Sequence, residues 1–135
     1  MSEPMRALII RDSLRSNYEK ENYREYHEPG LYTAVVNSNA LVEMPHRFFD
    51  VVIIDIMEYT IKKGDFSFLA GLKNLDYRAA LAMATSCATL EAAKPKILSM
   101  GVHVVMERPT SNASFFEKLD ELLQANPRPD DQTTE

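Results

Sequence analysis

The stretch Asp50-Val51-Val52-Ile53-Ile54-Asp55-Ile56-Met57 carries the reading of the fold. Its four central residues are β-branched and apolar, a run too short for a buried helix, so it reads as a strand covered on both faces. The acidic residues at Asp50 and Asp55 mark where the chain enters and leaves the core. Runs of the same kind lie on either side: Ala7 to Ile10 and Tyr32 to Val36 before it, Ala79 to Ala84 and Val102 to Met106 after it. Segments of helical character separate them. Five repeats of strand and helix predict an α/β architecture, a doubly wound five-stranded parallel sheet in the order 2-1-3-4-5 with helices on both faces.

A chain of 135 residues, 45% of them hydrophobic, has the size and apolar content of one domain. The expected division is a domain over residues 1–126 and a disordered tail over 127–135, where prolines and polar residues leave no large apolar side chain to bury. Removing Arg128 to Glu135 is expected to change the melting temperature little. A net charge of −5 gives no electrostatic footprint for nucleic acid. The sequence shows neither a secretory signal nor an apolar run of membrane-spanning length, so the expected compartment is the cytoplasm. The single cysteine, Cys87, lies among small residues from Ala84 to Ala88 and reads as a packing residue.

Four helical segments carry particular expectations. The last has Phe115, Phe116, Leu119, Leu122 and Leu123 on one face, capped by Ser114 with Glu117 or by Ser111 or Asn112. The first runs from Ser13 to His27, with Tyr18, Tyr23 and Tyr26 as packing residues, and closes at Pro29-Gly30. The second is short because of Pro45. In the fourth, Pro95 predicts a start near Lys94, since proline inside a helix costs about 3 kcal/mol.

In a doubly wound sheet the functional crevice lies at the carboxyl ends of the strands. Those ends are polar here: Arg11-Asp12, Asp55, Thr85-Ser86 and Glu107-Arg108-Pro109. Each alone is explained by a strand leaving the core. Together, over Met5 to Gln124, they resemble the receiver domain of bacterial response regulators, in an atypical or pseudo-receiver variant. The resemblance rests on Asp12, Asp55, Thr85 and Arg108-Pro109, with Gly101 and the run ending in Asp55 as the most specific local matches. It implies that Asp55 is the phosphoacceptor and that Thr85 and Arg108 grip the phosphoryl oxygens. It also implies Mg²⁺ held by Asp12, Asp55 and the Met57 carbonyl, oxygen donors suited to a hard cation. Three departures stand out: Arg11 replaces a strand-one acid, Val105 stands where many receivers have an aromatic ring, and Tyr59 takes a position that is commonly proline. A guanidinium at Arg11 opposes a cation, by about 4 kcal/mol for unit charges about 4 Å apart at an effective dielectric of about 20. Arg11 is accordingly expected to form a direct or water-bridged ion pair with Asp55, and Glu58 is the acid that could compensate for the missing one.

His27, His46 and His103 lack metal-site spacing and read as solvated surface imidazoles. Glycine occurs only at Gly30, Gly64, Gly71 and Gly101, so the usual phosphate cradles are missing. The expected function is a stand-alone receiver-like signalling module that binds a protein partner, with phosphorylation of Asp55 weak or absent and no other enzymatic activity. Implied partners are a histidine kinase or a downstream signalling protein, or a second copy docking through the surface of helix four, strand five and helix five. Two other readings use the same residues: a working phospho-receiver phosphorylated on Asp55 by a histidine kinase, and a flavodoxin-like small-molecule binder or enzyme.

Overall fold

The computed structural model of the protein describes residues 5–12, 23–37, 41, 46–84, 90–109 and 111–127. Among the described residues six strands form one sheet: β1 (Met5–Arg11), β2 (Tyr23–Glu28), β3 (Leu31–Asn37), β4 (Phe48–Ile56), β5 (Asp76–Ala84) and β6 (Val104–Glu107). Their spatial order is β2-β3-β1-β4-β5-β6. Every pairing is parallel except β2 with β3. Four of the five apolar runs fall within β1, β3, β4 and β5, and the fifth, Val102 to Met106, overlaps β6 from Val104, but the expected count of five and the expected order are corrected by the added antiparallel strand.

That strand replaces part of the expected first helix. Tyr23 to Glu28 pairs back on Leu31 to Val36, and Pro29-Gly30 is the two-residue turn of a hairpin, not a helix stop. Proline fixes its own φ near −65° and Gly30 supplies φ 77°, a combination that reverses the chain in two residues. Residues 13–22, which carry the rest of that expected helix and Tyr18, lie outside the described residues. So do Pro45, Thr85, Cys87 and the tail from residue 128.

Side chains of β4 alternate between two apolar layers. On one face Leu8, Ile10, Val52, Ile54 and Ile56 pack with Phe66, Leu69, Leu72, Leu90 and Ile97. On the other, Ala7, Val51, Ile53 and Leu81 pack with Leu119 and Leu122. Each fully buried aliphatic side chain contributes about 1.5–3 kcal/mol by leaving water. The first layer is closed by α1 (Glu58–Lys63), a 3-10 helix over Ser67–Asn74, and α2 (Leu90–Leu98); the second is closed by α3 (Asn112–Ala125). In α1 an acidic first turn and a basic last turn complement the helix dipole, and Glu58 meets Lys62 at 3.2 Å.

Two helix expectations are corrected. The helix α2 starts at Leu90 and carries Pro95 inside it. Pro95 has no N–H to give the Glu91 carbonyl, but both residues are exposed, so the freed carbonyl faces water and the cost is lowered. In α3, Ser111 is the cap and accepts from the Ser114 N–H at 3.2 Å. Phe115, Leu119 and Leu122 turn to the sheet, whereas Phe116 is 58% exposed and does not share their face.

Between α2 and β6 the chain turns at Gly101, whose carbonyl accepts from the Tyr77 hydroxyl at 2.8 Å. Burial pushes the Tyr77 phenol above its ordinary value. The folded state therefore holds this proton more tightly than the unfolded chain does. The corresponding stability is fully present below the unfolded value of about 10 and is lost as pH rises through the raised folded value. Urea midpoints measured between neutral pH and strongly alkaline pH should fall more steeply for the parent than for Tyr77→Phe. Parallel curves would remove this contribution.

Candidate functional site

The carboxyl ends of β1, β4 and β6 meet at one edge of the sheet. Asp12 directly follows β1, and its backbone N–H continues the ladder to the Asp55 carbonyl at 3.2 Å. Its Oδ2 accepts from the Met57 N–H at 3.0 Å, a charge-assisted bond. Asp12 is thus a bracket between β1 and the turn that leads from β4 into α1. Met57 is the residue before α1, and its carbonyl accepts from the Thr60 and Ile61 amides at 3.1 and 3.2 Å. The helix start is what orients that carbonyl.

Asp55 lies one residue before the end of β4, half-buried, with Arg11 and Met83 as register partners on either side. Its Oδ1 accepts from Arg108 Nη2 in a salt bridge. The Arg108 backbone is anchored by its N–H to the Ala84 carbonyl at 2.7 Å, one strand away from Asp55. From there the long side chain crosses the end of β5 to the carboxylate. The expected Arg11–Asp55 ion pair is replaced by this one: Arg11 stands beside Asp55 in register, but its side chain is exposed, and among the described residues the cation in direct contact with Asp55 is Arg108. Glu58, the compensating acid considered from sequence, is turned along α1 to Lys62.

The predicted site residues Asp12, Asp55, Met57 and Arg108 are therefore brought together; Thr85 lies outside the described residues. As a Mg²⁺ site the arrangement fits poorly. One Asp12 oxygen is committed to a backbone amide, one Asp55 oxygen to a guanidinium, and the Met57 carbonyl to the first turn of α1. Among the described residues no three His, Cys, Asp or Glu side chains gather as a metal-binding group. What the edge can do as it stands is hold one neutralised carboxylate beside a second carboxylate.

Next to this pair lies an open groove of about 460 Å³, lined by Met83, Arg108, Pro109, Ser111, Asn112 and Phe115. Sequence reading assigned Ser111 and Asn112 to helix capping and Phe115 to the core, and missed that they share a wall. The signal available was their position just after the Arg108-Pro109 strand end. Beyond the pair, Met57 and Tyr59 are 41% and 55% exposed and extend the edge with apolar surface. No described helix is long and apolar enough to cross a membrane. No family model matches the chain, and no curated protein sequence matches it.

Proposed function

We propose that the chain is an atypical receiver-like signalling module that acts by binding another protein, with phosphoryl transfer to Asp55 slow or absent. The observation that supports this reading best is the Asp55–Arg108 pair beside Asp12. A carboxylate bonded to a guanidinium is a hindered nucleophile, because attack requires the oxygen to be released from a charge-assisted bond. Arg108 supplies the neutralising charge that a divalent cation would otherwise bring. The protein partner is a histidine kinase, a downstream signalling protein or a second copy, docking on the surface made by α2, β6 and α3.

Labelling with acetyl phosphate and Mg²⁺ tests the reading. The parent and Asp55→Asn should both label weakly. Arg108→Gln, which frees the Asp55 oxygen from its charge-assisted bond, should label at least about tenfold more than the parent, as the loss of a hydrogen bond worth about 1.5–3 kcal/mol implies. Efficient and equal labelling of parent and Arg108→Gln would replace this reading with the working phospho-receiver. A copurifying chromophore or nucleotide would replace it with the flavodoxin-like binder.

A further inference from the structure

Outside the carboxyl edge, one titratable side chain does work that the proposed function leaves unexplained. In a parallel ladder the N–H of Ala80 would meet a main-chain carbonyl of the neighbouring strand. Here β6 begins only at Val104, and the Gly101 carbonyl is taken by the Tyr77 hydroxyl. The acceptor comes instead from a ring: His103 Nδ1 accepts from the Ala80 N–H at 3.0 Å. In return the backbone N–H of His103 donates to the Ala80 carbonyl at 2.8 Å. Both backbone groups of a residue with 0% exposure thus end on a single histidine.

This geometry fixes the protonation state. Nδ1 accepts only in the neutral tautomer that carries its proton on Nε2. A proton on Nδ1 would set donor against donor and leave the buried Ala80 amide without a partner. Although the bond is half-buried, His103 as a residue is exposed, so a proton reaches the ring without unfolding. The titratable group facing it from β5 is Tyr77, ring edge to ring at 6.2 Å. Among the described residues no carboxylate or ammonium group forms an ion pair with it.

We propose that His103 is a proton-sensitive latch that holds the start of the edge strand β6 to β5, and with it the Arg108 that β6 delivers to Asp55. The inference stands on the strand geometry and does not require the receiver-like reading. β6 is four residues long and is pinned at its two ends, by the His103–Ala80 pair and by the Arg108 N–H on Ala84. Protonation removes one of the two bonds that pin its start, the Ala80 N–H on Nδ1, and leaves the backbone N–H of His103 on the Ala80 carbonyl.

Amide exchange and ring-nitrogen chemical shifts at pH 8 and pH 5 test it. After correction for intrinsic exchange, protection of the Ala80 amide in the parent should fall about tenfold or more at pH 5, as the loss of a buried hydrogen bond implies, while Val52 in the centre of the sheet stays unchanged. His103→Asn places a non-titrating acceptor oxygen near the Nδ1 position and should abolish the pH dependence. His103→Leu should show low Ala80 protection at both pH values. Equal Ala80 protection in the parent at both pH values would overturn the proposal, as would ring shifts that place the proton on Nδ1 at pH 8. A fall in His103→Asn matching the parent's would also overturn it, by showing that another group titrates.

Discussion

Replacing Arg78 by alanine is expected to lower the unfolding free energy by about 3–5 kcal/mol, the cost typical of removing one partner from a buried ion pair. Asp50 is the pair's other member and has 0% exposure. Its Oδ2 accepts from the Arg6 N–H at 2.8 Å and its Oδ1 from Arg78 Nη1 at 3.1 Å. The same guanidinium donates through Nε to the Asn126 carbonyl at 2.6 Å and through Nη2 to the Leu123 carbonyl at 2.7 Å. Those carbonyls belong to the end of α3, where a helix leaves acceptors unpaired and its dipole is negative. One side chain therefore joins β4, β5 and the end of α3. Urea denaturation with an unchanged m-value measures the loss, and exchange of the last-turn amides of α3 should rise with it. The double variant Asp50→Val with Arg78→Leu should lie nearer the parent than Arg78→Ala does, since no charge is then stranded. A loss below about 1 kcal/mol in Arg78→Ala, the range of exposed pairs, would contradict this account.

Gly101→Ala is expected to cost about 2–4 kcal/mol, through two effects that add. At φ 100° an L side chain is held in a sparsely populated backbone region, at a cost of about 1–3 kcal/mol. The new Cβ would also lie 2.7 Å from the Tyr77 hydroxyl, pushing it off the Gly101 carbonyl and losing a hydrogen bond of about 1 kcal/mol. In a Tyr77→Phe background that contact is relieved, so the same glycine substitution should cost less. Thermal unfolding of the four proteins in this cycle gives both terms. Equal costs in the two backgrounds would leave backbone strain as the whole effect.

What the sequence made legible was what apolar patterning controls. Val51 to Ile54 is buried throughout, as are most residues of Ala7 to Ile10, Tyr32 to Val36 and Ala79 to Ala84, whereas Val102 to Met106 is buried only at Val102; burial writes itself into sequence as runs of apolar residues. Tyr23 to Glu28 escaped because an edge strand facing water on its outer side has no such run and no clear alternation. The hairpin signal is present in Pro29-Gly30 placed directly before Leu31, but the same pair equally fits the end of a helix. Pro95 was misjudged for a related reason: the penalty for an interior proline assumes that the freed carbonyl is buried, and Glu91 is exposed. At the carboxyl edge, Asp12, Asp55 and Arg108 lie at strand ends, where the apolar runs stop. Strand ends could not tell which arginine reaches Asp55, because that depends on how far a side chain must cross the end of β5. The role of His103 was invisible, since nothing local in a sequence shows that a ring will stand in for a missing strand carbonyl.

The hairpin that hides from sequence reading also settles how this sheet meets other molecules in a crowded solution. Without β2, the outer side of β3 would offer a row of open amides and carbonyls along Leu31 to Val36, an apolar template for cross-molecular pairing. With β2 laid antiparallel over it, the outermost strand instead carries Glu25, His27 and Glu28 exposed to water. Charged side chains on an edge make the docking of a further strand costly. At the opposite margin β6 is only four residues long, which gives an incoming strand little length to grip. Colloidal stability is thus built into both borders of the sheet, and substitutions that neutralise Glu25 and Glu28 together should show it first as turbidity on prolonged warming below the melting transition.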